Sequence, residues 1–142
     1  MACIKDVALE PKTMAVQVLL AEGEELLALS LTDLLDAEGY DVTVTNDGEK
    51  ALAAAMRLGN ALDALVTDLD MPLMSGQDLI RALRSNRPEL PVVVVTGSPP
   101  PGGLEELRRQ GGGCGPLALL HKPMDCAHFV ETLRRAVPPK RF

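Results

Sequence analysis

Five short apolar runs alternating with segments of helical hydrophobic spacing constrain this chain more than anything else in it. The runs are Val16–Leu20, Val42–Thr45, Leu62–Thr67, Val92–Val95 and Leu117–Leu120. The last three are almost continuously apolar. A strand with one wet face would alternate, so such runs point to parallel strands covered on both faces. Strands that take turns with helices predict an α/β fold, a doubly wound parallel sheet of five strands and five helices.

The intervening segments carry helix signals of unequal strength. Leu27, Leu31, Leu34 and Leu35 fall on one face, and Gly39 ends that helix before Tyr40 and Asp41 lead into the second strand. The second helix opens at Asn46-Asp47-Gly48-Glu49 and is expected to turn Leu52 and Met56 inward. Ser75-Gly76-Gln77-Asp78 opens the third, with Leu79 and Leu83 as its stripe and Pro88 and Pro91 as its stop. Asp125 caps the fifth, which presents Phe129, Val130, Leu133, Ala136 and Val137 to the sheet. The fourth is marked only by Leu104 and Leu107. It lies between Ser98–Gly103 and Gly111–Gly115, so the glycines and prolines of 98–115 predict a poorly specified, mobile backbone. One domain over residues 14–137 is expected, with 1–13 and 138–142 as loose ends.

Composition narrows the chemistry. Lys and Arg number 14 against 20 Asp and Glu, a net charge of −6, whereas a nucleic-acid groove needs a clustered positive field. No window approaches the roughly 20 apolar residues of a membrane span, and charges at Lys5, Asp6, Glu10 and Lys12 interrupt any leader-like core. Three cysteines with no sign of export fit a reduced cytoplasm. Aromatics are 2% of the chain, which leaves almost nothing to stack on a base, flavin or sugar.

In an open α/β sheet, ligands bind outside the carboxyl ends of the strands. Here those ends carry Glu22, Asp68, Thr96 and Lys122. Two acids, a hydroxyl and an ammonium in one crevice suit phosphoryl transfer. A carboxylate can attack phosphorus, and the charge spread over the transferring oxygens calls for a hard cation and a positive side chain. Magnesium in turn takes one or two carboxylates plus carbonyls and waters.

Five segments resemble the receiver domain of two-component response regulators. They are Val18-Leu19-Leu20-Ala21-Glu22, Glu38-Gly39-Tyr40-Asp41-Val42, Val66 to Gly76, Val93-Val94-Val95-Thr96-Gly97 and His121-Lys122-Pro123. The resemblance implies the flavodoxin-like strand order 2-1-3-4-5. It also implies that Asp68 is the phosphoacceptor, Thr96 the switch hydroxyl and Lys122 the phosphate-pairing lysine, followed by a cis Pro123. Glu22, Asp68 and the backbone carbonyl of Asp70 would hold Mg²⁺. Gly23 stands where the family has a second acid, so weak Mg²⁺ binding is expected. Leu119 replaces the usual aromatic partner of the switch hydroxyl, so a switch would work by ordering 98–115.

The implied function is a stand-alone receiver, cytoplasmic, monomeric or weakly dimeric. It would take its phosphoryl group from a histidine kinase or phosphotransfer protein and signal to a downstream protein target, without enzymatic turnover beyond its own phosphorylation and dephosphorylation. Two alternatives stay open on the residues alone. One is a receiver-like interaction module that takes no phosphate, suggested by Gly23 and Leu119. The other is a haloacid dehalogenase-like phosphatase using Asp68 and Asp70, against which only Asp125 and Glu131 follow Lys122 as acids. Cys114, His121, Cys126 and His128 follow no common zinc spacing and are not expected to bind metal.

Overall fold

The computed structural model describes residues 15–139. The strands are β1 (Gln17–Ala21), β2 (Asp41–Thr45), β3 (Ala64–Thr67), β4 (Val92–Thr96) and β5 (Leu117–His121). The helices are α1 (Glu25–Ala37), α2 (Gly48–Leu58), α3 (Gly76–Asn86), α4 (Gly103–Gly111) and α5 (Cys126–Ala136), with a short 3₁₀ turn at Gly59–Ala61. All strands pair in parallel in the order β2-β1-β3-β4-β5, as the resemblance implied. The loose ends expected at 1–13 and 138–142 lie, except for 138 and 139, outside the described residues. No helix among the described residues is long and apolar enough to cross a membrane.

Strand periodicity divides the core into two layers. Val18, Leu20, Val66, Val93 and Val95 face α1 and α5, where Leu31, Leu35, Phe129 and Leu133 close over them. Leu19, Leu65, Val92 and Val94 face the other way, against Ala51, Ala54 and Ala55 of α2, Leu79 and Ile80 of α3 and Leu107 of α4. Burial on both sides is why these strands read as unbroken apolar runs.

Three local expectations are corrected or sharpened. Met56 does not point inward: it is 75% exposed, Leu52 is only partly buried, and the inward face of α2 is built from alanines. The α2 opening is a simple cap, in which Asp47 Oδ1 accepts the Lys50 N–H at 2.7 Å, with no reciprocal bond from Glu49 needed to start the helix. Finally, the end of the glycine-rich approach to β5 makes close backbone contact with the turn before β4. A Cβ on Gly115 would lie 2.2 Å from the Glu89 carbonyl oxygen, so glycine lets the two backbones touch. The buried Arg84 side chain fixes the same region. It donates to the carbonyls of Leu90 (2.8 and 3.2 Å), Gly112 (3.1 Å) and Pro116 (2.7 Å).

Candidate functional site

Sheet register assembles the site. Ala21 pairs with both Thr45 and Thr67, so β1, β2 and β3 end level with one another. The Asp68 N–H donates to the Ala21 carbonyl at 3.0 Å, and the Glu22 N–H to the Thr45 carbonyl at 3.0 Å. These bonds carry the sheet's order one residue past its strands and set the two acids side by side. At the far edge Thr96 pairs with His121, and the Lys122 N–H donates to the Thr96 carbonyl at 2.9 Å.

Asp68 is buried and engaged at both carboxylate oxygens. Oδ1 accepts the N–H groups of Leu69 (2.6 Å) and Asp70 (3.2 Å), while Oδ2 takes a bond from Lys122 Nζ at 2.9 Å. Gly76 keeps the following loop tight, because a Cβ there would sit 2.1 Å from the Asp68 carbonyl oxygen. The Gly76 N–H then closes the loop onto the Leu69 carbonyl at 2.9 Å. The Asp68–Gly76 motif is thus a turn that aims one carboxylate, with glycine required at its end.

Lys122 gathers the acids. Besides Asp68, its ammonium donates to Glu22 Oε2 at 3.1 Å and to Glu24 Oε1 at 2.7 Å. Burial by itself pulls the Lys122 pKa down, but the hydrogen bonds that the ammonium donates to Glu24, Asp68 and Glu22 outweigh it and hold it above its ordinary range. Burial pushes the Glu22 carboxyl up, opposed by the Glu24 N–H and by Lys122. The peptide between Lys122 and Pro123 is cis, as the resemblance implied.

The structure therefore brings Glu22, Asp68 and Lys122 together. Thr96 is buried at the end of the neighbouring strand, with its hydroxyl oxygen accepting the Ser98 N–H at 3.1 Å. Asp70 is exposed and reaches Asp68 through its backbone N–H. Glu24 is the member that sequence reasoning missed. Oxygen atoms of Glu22, Glu24 and Asp68 lie within 4.8 Å of one another, a set of hard donors that fits a divalent cation such as Mg²⁺. The missed signal was an acid one residue beyond Gly23, at the cap position of α1, where acids commonly serve only the helix.

Comparison with known proteins agrees with this arrangement. The family model of the response regulator receiver domain matches residues 18–134, and the chain belongs to that family. It is 30% identical over 123 residues to the polar-differentiation response regulator DivK of Brucella ovis, covering 85% of this chain and 95% of DivK. It is 41% identical over 81 residues to the probable transcriptional regulatory protein TcrX of Mycobacterium tuberculosis, covering 57% of this chain but only 34% of TcrX. The solved structure of the chemotaxis response regulator CheY4 of Vibrio cholerae superposes with a TM-score of 0.74 at 26% identity, covering 86% of this chain and 98% of that one. The protein is a receiver domain of two-component signalling, a class of signalling domain that binds Mg²⁺ at an acidic site.

Proposed function

We propose that this receiver accepts a phosphoryl group on Asp68 from the phosphohistidine of a histidine kinase or phosphotransfer protein, and signals by contact with a downstream protein in the cytoplasm. The observation that carries the reading is the 2.9 Å pair between Lys122 Nζ and Asp68 Oδ2 at the carboxyl edge of the sheet. An Asp68 oxygen attacks phosphorus. The phosphorus–nitrogen bond to the donor imidazole breaks, and its electron pair leaves with the imidazole. Lys122 offsets the negative charge of the arriving oxygens, and the Thr96 hydroxyl is the group that would hold one of them. Glu22, Asp68 and the Asp70 carbonyl would hold Mg²⁺, with Glu24 adding a third carboxylate beside them. When bound, the ion neutralises charge on the phosphoryl oxygens.

Incubation with acetyl phosphate and Mg²⁺, followed by intact mass, tests the reading. One added phosphoryl group is expected in the native chain and none in Asp68→Asn; undiminished labelling of that variant would overturn the assignment. Gly23, which removes one family acid, favours a second reading in which the domain works by contact without phosphate. Silence of the native chain would support it, and turnover of added phosphoesters would instead indicate a phosphatase.

A further inference from the structure

Lysine has three N–H donors and no acceptor. In this structure all three meet carboxylates: Glu24 Oε1 at 2.7 Å, Asp68 Oδ2 at 2.9 Å and Glu22 Oε2 at 3.1 Å. The ammonium is saturated. A phosphoryl group arriving on Asp68 can take a hydrogen bond from Lys122 only if one of the three acids lets go.

The three differ in how tightly they are held. Glu22 is 1% exposed, and its Oε2 also accepts the Glu24 N–H at 2.9 Å, so withdrawing it would strand a buried carboxylate and open the start of α1. Asp68 is the reacting group itself and is fastened by two backbone N–H groups. Glu24 is 67% exposed, and its side chain makes no capping bond to α1. Water can replace Lys122 as its partner at little cost.

Resting on the assignment of Asp68 as phosphoacceptor, we propose that Glu24 is a displaceable guard on Lys122. It keeps the ammonium aimed at Asp68 in the resting domain and yields its place to a phosphoryl oxygen. It is a positioning residue, and it sets how readily the site accepts a dianionic donor. Three carboxylates around one ammonium also leave an excess of negative charge where that donor must approach, which Glu24 deepens.

The test compares the native chain, Glu24→Gln and Glu24→Ala at saturating Mg²⁺, so that altered metal affinity does not set the rate. Acetyl phosphate transfers its phosphoryl group to an Asp68 oxygen as the bond to acetate breaks and acetate leaves with the electron pair. Initial labelling is expected to rise about two- to fivefold, the release of one largely exposed ion pair, and more in the alanine variant than in glutamine, whose amide oxygen still accepts a bond. A second readout is the nitrogen–proton NMR signal of the Lys122 ammonium, whose protons should exchange with water several-fold faster in both variants. A purely structural role for Glu24 would leave that signal unmoved. Equal or slower labelling of the variants beside a native chain that does label would overturn the guard and leave Asp68 in its role. Failure of the native chain to label would overturn both.

Discussion

Gly23 stands where the family resemblance implies a second acid, and little in the structure stands in the way of placing one there. A Cβ at Gly23 would meet only the Asn46 carbonyl oxygen, at 3.8 Å, an ordinary contact. A unit negative charge about 4 Å from a cation contributes at most ~4 kcal/mol per unit of cation charge at an effective dielectric of about 20. Water in the vacant position and the nearby Glu24 carboxylate offset most of that. Gly23→Asp is therefore expected to tighten Mg²⁺ binding by about 1–2 kcal/mol, roughly five- to thirtyfold. Titration calorimetry at fixed ionic strength measures the difference. Equal affinities would mean that Glu24 already does the work of the missing acid. At this scale the sequence was legible wherever a polar residue followed a buried strand: Glu22, Asp68, Thr96 and Lys122 all stand at the sheet's carboxyl edge. Glu24 was not legible. Its part depends on a 2.7 Å contact with a residue nearly a hundred positions away, which no local pattern reports.

Among the elements, α2 and the approach to β5 depart from what hydrophobic spacing predicts, for related reasons. Spacing arguments give weight to large side chains, so Leu52 and Met56 stood out in α2, while Ala51, Ala54 and Ala55 form its inward face. Glycines read as slack in the same way, although at the end of α4 they permit close contact. The element that exploits this contact is α3, through Arg84. Burial lowers the pKa of that guanidinium, which makes it a costly group to place there. Four hydrogen bonds to three carbonyls offset the cost. Arg84→Met keeps the apolar stem, relieves the desolvation and leaves the carbonyls behind, the Leu90 carbonyl among buried residues. One unsatisfied buried acceptor, the Leu90 carbonyl, costs more than a matched apolar replacement returns, while the Pro116 carbonyl keeps the Val92 N–H, so a loss of about 1–3 kcal/mol is expected. It should appear as a lower urea midpoint with an unchanged slope. An unchanged midpoint would show that the guanidinium holds nothing the rest of the fold does not already hold.

Across the whole molecule, the fold was legible because both core layers draw on the same strands, and two-sided burial leaves a mark that survives in sequence. The mechanical state of 98–115 was not legible, because glycine serves equally for freedom and for close approach. At the end of this segment that leads into β5, bonds cross from one element to another. The N–H groups of Cys114 and Gly115 both donate to the Pro88 carbonyl, at 2.8 and 3.0 Å, linking the residues before β5 to the turn before β4. Arg84 spans the same junction from α3, and Leu119 packs into the layer that holds Leu107 of α4. Opening these amides means separating α3, β4 and β5, so their exchange should follow subglobal unfolding rather than loop fluctuation. Hydrogen exchange on the unmodified chain is expected to show protection at Cys114 and Gly115 comparable to that of the β4 amides. In Arg84→Met the same two amides should lose protection before the strand does. Rapid exchange at both positions in the native chain would show that the segment opens by itself. Ordering of 98–115 on phosphorylation would then return as the way a receiver without an aromatic residue at position 119 passes its signal on.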